Sequence, residues 1–131
     1  MQKRRLGNST LEVSVVGLGG NNFGGRIDFA ASERVVHKAI ALGVNLIDTA
    51  DSYGNRGGSE EELGRILGDK RKHIVLATKF GLPMDDTGTL RGASRRYIMH
   101  DTGFPGSADE TATARAQAAV STERPDLGAH R

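Results

Sequence analysis

An acid, a tyrosine and a lysine lie in this sequence where predicted strands end. Asp48 stands at the end of an apolar run, Tyr53 follows in the next loop, and Lys79 stands at the end of a second apolar run. The carboxyl ends of parallel strands share one side of a sheet, and α/β active sites form there. We therefore expect these three side chains to lie close together.

Together, the three side chains have the chemistry of a proton donor. An ammonium beside a phenol favours the phenolate form, and a buried lysine requires a counter-charge, which Asp48 can supply. A tyrosine with this neighbour can protonate a carbonyl oxygen while a hydride reaches the carbon. Taken singly, Asp48 could cap a turn, Tyr53 could pack and Lys79 could be solvated, but their combined positions favour chemistry.

The glycine-rich segment Gly17-Leu18-Gly19 after the first strand has a competing interpretation as a dinucleotide-binding turn. A Rossmann fingerprint requires glycine or another small residue at position 22, where this chain has Asn22. The next helix is predicted to begin only near Ser32, too late for its N-terminus to hold a pyrophosphate. Both features disfavour the Rossmann interpretation.

The predicted elements are a hairpin followed by three strand–helix units. The hairpin covers residues 3–13, strands cover 13–19, 44–49 and 73–79, and helices begin at Ser32, Ser59 and Ser94. Alternating strands and helices predict an α/β fold with a parallel sheet. The third strand would be an open edge of that sheet.

Two of the helices have recognisable signals. The first is predicted to extend from Ser32 to Leu42, to stop at Gly43, and to bury a stripe made of Val35, Val36, Ala39 and Ile40. The second begins with the pattern of a capping box, in which the Ser59 hydroxyl accepts from the Glu62 N–H and Glu62 reaches back. It is expected to end at Gly68.

The composition changes after Met99. Residues 1–99 carry 15 basic and 11 acidic side chains, whereas residues 100–131 carry 3 and 5, with a single Val, Leu and Phe and no Ile or Lys. Such a segment has too little apolar surface to bury. We expect residues 1–99 to form the folded part and residues 100–131 to be a disordered tail.

Several functional classes are disfavoured. The basic residues are scattered and aromatic residues are few, so no nucleic-acid site is predicted. No apolar run could span a membrane and no signal peptide is recognisable, so a cytoplasmic location is expected. Cysteine is absent, no cluster has metal-ligand spacing, and each of the four histidines is better explained as solvated. The oligomeric state is left open.

Residues 1–99 resemble the N-terminal part of an aldo-keto reductase. The segments that carry the resemblance, in order, are Arg5-Leu6-Gly7-Asn8-Ser9, Gly17-Leu18-Gly19, Leu46-Ile47-Asp48-Thr49-Ala50, Tyr53-Gly54, Ser59-Glu60, Leu63-Gly64 and Thr78-Lys79-Phe80. The resemblance implies a (β/α)8 TIM barrel, here only partial: a hairpin closing the amino-terminal mouth and the first three βα units.

The resemblance also implies NADPH-dependent reduction of aldehydes or ketones to alcohols, without a metal. Asp48, Tyr53 and Lys79 match three members of the catalytic tetrad: Tyr53 would donate the proton, Lys79 would favour its ionisation, and Asp48 would hold Lys79. Gly19-Gly20-Asn21 matches the segment beside the nicotinamide. The substrate would be a small carbonyl compound of unspecified identity.

The chain departs from the family pattern after Met99. The tetrad histidine should follow a fourth strand, and His100 has no apolar run before it. A barrel of this type needs about 250 residues. We hypothesise a frameshift near codon 99 and an inactive fragment. The alternatives are a non-catalytic interaction protein that pairs through its exposed strand edge and a nucleotide-binding protein without turnover.

Overall fold

The computed structural model describes residues 1–89, 91 and 92, which form a hairpin, a parallel sheet and the helices between its strands. The elements are β1 (Lys3–Arg5), β2 (Glu12–Ser14), β3 (Leu18–Gly19), α1 (Phe29–Ala41), β4 (Leu46–Asp48), α2 (Tyr53–Leu67), a 3-10 helix (Gly68–His73) and β5 (Val75–Ala77). The predicted helix at Ser94, His100 and the tail over 100–131 lie outside the described residues.

The predicted hairpin is confirmed. Strands β1 and β2 pair antiparallel, with Lys3 opposite Ser14. The prediction of one continuous strand over 13–19 is wrong, because Ser14 ends β2. Its hydroxyl donates to the carbonyl oxygen of Val16 at 2.7 Å, and its N–H donates to Asn45 Oδ1 at 2.6 Å. These bonds turn the chain out of the hairpin before it enters the sheet at Leu18.

The predicted parallel sheet is confirmed, with the strand order β3-β4-β5. Leu18 lies opposite Ile47, and Ile47 lies opposite Leu76. Ile47 is fully buried, as expected for a central strand covered on both faces. The third strand is shorter than predicted, since His73 belongs to the 3-10 helix that precedes β5.

Helix α1 begins earlier than predicted. Its N-cap is Asp28, whose Oδ1 accepts from the Ala31 N–H at 2.7 Å, so the prediction of Ser32 as the N-cap is wrong. Ser32 lies inside the helix, where its hydroxyl donates to the Asp28 carbonyl oxygen. Gly43 ends the helix with a φ of +87°, as predicted. Val36 is buried, but Val35 is 42% exposed and does not belong to the buried stripe.

Helix α2 opens with a left-handed turn. Gly54, Asn55, Arg56 and Gly57 have φ values of 65°, 60°, 69° and 110°, and a right-handed helix follows. Single glycines adopt this conformation easily, but a run that includes two other residues is unusual. The helix ends at Gly68, as predicted.

One core joins both helices to the sheet. Its buried members are Phe23, Val36, Ile47, Leu63, Ile66, Leu67, Ile74 and Leu76. Helix α2 contributes three of these residues, and β4 and β5 contribute one each. This packing holds α2 against the sheet, and the first residue of α2 is Tyr53, one of the predicted site residues.

Candidate active site

Asp48 and Lys79 form an ion pair at the carboxyl ends of β4 and β5. The Lys79 Nζ lies 2.7 Å from both Asp48 carboxylate oxygens and donates to the Thr49 carbonyl oxygen at 3.1 Å. The side chain of Asp48 is 45% exposed, and that of Lys79 is 42% exposed. The pair is therefore held by the sheet but open to a molecule approaching from solvent.

Tyr53 lies beside this ion pair. The Lys79 Nζ is 5.2 Å from the centroid of the Tyr53 ring, within the range of a cation–π interaction. The turn after β4 positions the tyrosine, because the Tyr53 N–H donates to the Ala50 carbonyl oxygen at 3.1 Å. The structure thus brings Asp48, Tyr53 and Lys79 together.

The glycine segment after β3 lies against the same strand end. Gly19 is opposite Asp48 in the sheet, and the Gly20 N–H donates to the Asp48 carbonyl oxygen at 2.7 Å. A Cβ at Gly19 would meet nothing within 4 Å, whereas a Cβ at Gly20 would lie 2.9 Å from Ser59 Oγ. Gly20 therefore packs inward, Gly19 leaves open space beside Asp48, and Asn21 is exposed at the start of the next turn.

Two buried hydrogen-bond groups behind the ion pair were not predicted. Thr49 Oγ1 lies 2.8 Å from Ser59 Oγ, and the Ser59 hydroxyl donates to the Gly20 carbonyl oxygen at 2.9 Å. Thr78 Oγ1 donates to Glu60 Oε1 at 2.6 Å. The predicted capping box is thus wrong, since the Ser59 side chain bonds to two strand ends instead of its own helix. Thr49 and Thr78, which stand next to Asp48 and Lys79 in the sequence, are the signal from which these bonds could have been predicted.

The loop after β4 is fixed to the exit of β5. The Asp51 N–H donates to the Lys79 carbonyl oxygen at 2.9 Å, and the Thr49 N–H donates to the Ala77 carbonyl oxygen at 2.8 Å. Asp51 is only 1% exposed, so its side chain is part of the interior under the site. These backbone bonds continue the pairing of the two segments past Asp48 and as far as Lys79.

Within residues 1–89, 91 and 92, no group of three His, Asp or Glu side chains could hold a metal ion. The same part of the chain has no helix long and apolar enough to cross a membrane. His73 belongs to the 3-10 helix before β5, at the opposite end of that strand from Lys79.

Comparison with protein families gives a match to the Aldo/keto reductase family over residues 15–121. This match covers most of the chain and includes Asp48, Tyr53 and Lys79. The chain belongs to the aldo/keto reductase family.

Individual relatives agree with this assignment. The chain is 45% identical over 86 residues to the uncharacterized oxidoreductase YqkF of Bacillus subtilis, covering 66% of this chain and 27% of that protein. It is 44% identical over 75 residues to the uncharacterized oxidoreductase Rv2298 of Mycobacterium tuberculosis. That match covers 52% of this chain and 23% of the relative. The chain therefore spans about a quarter of the length of these relatives.

A solved structure shows the fold to which the described elements belong. The aldo-keto reductase AKR11C1 from Bacillus halodurans, in its holo form, matches with a TM-score of 0.64 and 36% identity, over 76% of this chain and 33% of that protein. This similarity, with the hairpin and three parallel strands described above, confirms the predicted partial (β/α)8 barrel.

Proposed function

We propose that Asp48, Tyr53 and Lys79 belong to a site that reduces an aldehyde or ketone to an alcohol with NADPH. The observation that carries the proposal is the ion pair of Asp48 and Lys79, with the Tyr53 ring 5.2 Å from the Lys79 Nζ. The pair is half-exposed at the carboxyl ends of the strands, so a small carbonyl compound can reach it.

Each side chain has a distinct role in this proposal. The Tyr53 hydroxyl donates its proton to the carbonyl oxygen, and the Lys79 ammonium stabilises the phenolate that is left. Asp48 holds the ammonium at this place, because both of its carboxylate oxygens accept from the Lys79 Nζ. NADPH, when bound, supplies the hydride that the carbonyl carbon takes.

Gly19, Gly20 and Asn21 are the residues proposed to lie beside the nicotinamide. The space at Gly19, where a Cβ would meet nothing within 4 Å, fits a planar ring lying against backbone. Gly20 fixes the wall of that space through its hydrogen bond to the Asp48 carbonyl oxygen. Residues 1–99 are proposed to be the N-terminal part of an aldo-keto reductase barrel, and the predicted tail over 100–131 lies outside the described residues.

We also propose that the 131-residue chain does not catalyse the reaction alone. In the described part of the chain, β3 and β5 each have β4 as their neighbour in the sheet. Val16, Leu42 and Leu82 are exposed by more than half of their surface, as expected where barrel elements would otherwise pack. The described residues thus form an open sheet, whereas cofactor sites are clefts or cavities that bury most of the ligand.

Titration of NADPH with the full chain, followed by addition of benzaldehyde, tests the proposed inactivity. We expect neither a saturable change in NADPH fluorescence nor aldehyde-dependent oxidation. A saturable change without oxidation would instead favour nucleotide binding without turnover. Oxidation that Tyr53→Phe abolishes would show that the chain already contains a working site.

The reaction class is tested in a complete barrel. A chimaera would carry residues 15–92 of this chain in place of the matching segment of the Bacillus halodurans reductase. We expect it to oxidise NADPH when an aldehyde is present. A folded chimaera that binds NADPH but reduces no aldehyde or ketone would contradict the proposed reaction.

The edge of β5 favours one alternative function. Its backbone is paired with β4 on one side in the described residues, so strand addition by another chain is an available mode of binding. Discrete oligomers of the full chain in size-exclusion chromatography would support this alternative. Heterogeneous aggregates would support an incomplete barrel.

A further inference from the structure

The segments at the carboxyl ends of β4 and β5 carry the ion pair and also a second pair of residues, which are directed the other way. Thr49 follows Asp48, and Thr78 precedes Lys79. Successive side chains on a strand point to opposite faces. Accordingly, the threonines are 0% and 8% exposed, while Asp48 and Lys79 are half-exposed.

Ser59 joins the end of β4 to the glycine segment after β3. A serine hydroxyl has one hydrogen, and Ser59 donates it to the Gly20 carbonyl oxygen at 2.9 Å. The 2.8 Å contact between Ser59 Oγ and Thr49 Oγ1 must then be a bond donated by the threonine. One fully buried hydroxyl therefore fixes the residue after Asp48 and the segment proposed to face the nicotinamide.

Glu60 makes the corresponding contact with the end of β5. Its Oε1 accepts from Thr78 Oγ1 at 2.6 Å, and the residue is 7% exposed. A buried carboxylate is retained only where donors satisfy it, and a hydrogen bond to a charged acceptor is a strong one. The side chain next to Ser59 thus fixes the residue before Lys79.

We infer that Ser59 and Glu60 are positioning residues that hold the strand ends where Asp48 and Lys79 can pair. They are consecutive residues of α2: Ser59 bonds to Thr49, which follows Asp48, and Glu60 bonds to Thr78, which precedes Lys79. The relevance of this arrangement to carbonyl reduction rests on the proposed function, but the positioning itself is a property of the described residues.

Competitive acetylation of the full chain measures the pairing directly. Trace acetic anhydride labels free lysine amines, and mass spectrometry gives the labelling of Lys79 relative to Lys38 in the same molecule. The Asp48→Asn variant cannot form the ion pair, so its increase in this ratio is the reference value for complete loss of the pair. We expect Ser59→Ala and Glu60→Leu each to give at least half of that increase.

Two controls separate positioning from loss of stability. Ser32→Ala removes another fully buried hydroxyl, one that donates to the Asp28 carbonyl oxygen within α1, and should leave the ratio unchanged. Glu60→Gln keeps an oxygen that accepts from Thr78, so this variant should have the same labelling ratio as the unaltered chain. If Ser59→Ala fails to fold, Thr49→Val removes the donor to Ser59 at similar volume and should raise the ratio.

The inference is overturned if Ser59→Ala and Glu60→Leu leave the ratio unchanged, or if Ser32→Ala raises it equally. The labelling ratio does not depend on turnover. A ratio that responds as expected, together with a complete-barrel chimaera that reduces no carbonyl compound, would overturn the proposed function and leave the positioning roles intact. A chimaera that reduces a carbonyl compound, together with a labelling ratio that does not respond to Ser59→Ala and Glu60→Leu, would support the proposed function and overturn the positioning roles.

Discussion

At the scale of single residues, the polar interactions of the site differ in how far they are buried. The ion pair of Asp48 and Lys79 is half-exposed, so solvent screens it and its net contribution to stability is small. We predict that Asp48→Asn lowers the free energy of unfolding by less than about 1 kcal/mol. Urea denaturation of both chains checks this, and a larger loss would show that the pair is a structural element.

The hydrogen bond from Thr78 to Glu60 is buried, and its loss should cost more. Thr78→Val leaves the Glu60 carboxylate without this donor, so we predict a loss of about 1–3 kcal/mol in urea denaturation. Thr87→Val is the matched control, because Thr87 also donates to a carboxylate, that of Asp85, but on the surface. Equal losses in the two variants would contradict the importance of burial.

The sequence predicted only part of the site. Asp48 and Lys79 could be placed because each ends an apolar run, and the parallel arrangement then brings such ends together. The roles of Ser59 and Glu60 could not be predicted, because a serine followed by glutamates before an apolar run is also the pattern of a capping box. Only the tertiary position of the helix decides between these contacts.

At the scale of elements, the close approach of two loops fixes the path between β3 and α1. Gly24 has a φ of +71°, and a Cβ there would lie 2.2 Å from the Gly58 carbonyl carbon. The loop that begins with the glycine segment therefore packs directly on the start of the right-handed part of α2. A side chain at position 24 would therefore displace one of the two backbones.

Gly24→Ala should consequently prevent folding of this region, since both the conformation and the space exclude a side chain. Gly7→Ala is the control: Gly7 also has a positive φ, +54°, but nothing lies within 4 Å of its Cβ position. We predict a loss of about 1–2 kcal/mol for Gly7→Ala and loss of the cooperative transition for Gly24→Ala. Circular dichroism during denaturation measures both, and similar behaviour would contradict the packing.

The two helices offer a direct test of the core. Leu63 is fully buried in α2, whereas Val35 of α1 is 42% exposed. Leu63→Ala should cost about 2–5 kcal/mol, and Val35→Ala should stay within about 0.5 kcal/mol. Urea denaturation distinguishes these values, and an equal cost would place Val35 in the core.

The error over Val35 shows what periodicity can and cannot establish. The spacing of apolar residues in α1 gives the direction of the buried face, and Val36 at its centre was predicted correctly. The width of that face depends on what packs against the helix. The start of α1 was similarly ambiguous, because both Asp28 and Ser32 are residue types that cap helices.

At the scale of the whole molecule, the chain is a partial barrel whose described part brings Asp48, Tyr53 and Lys79 together at the strand ends. The parallel order followed from the alternation of strand and helix patterns. The extent of the barrel could not be predicted in this way, because the patterns of β3 and β5 do not determine which strands would lie beside them. The family match to residue 121 and the coverage of a third of a solved relative place these elements in the larger fold.

In the proposed reaction, Tyr53 donates the proton to the carbonyl oxygen. The most direct test is the turnover number of the chimaera described above, with and without Tyr53→Phe. We predict that removal of this single hydroxyl lowers kcat about 10²–10⁴-fold, the usual contribution of a positioned general acid, while NADPH binding is unchanged. Unchanged kcat in a folded Tyr53→Phe chimaera would contradict the proposed role of this site.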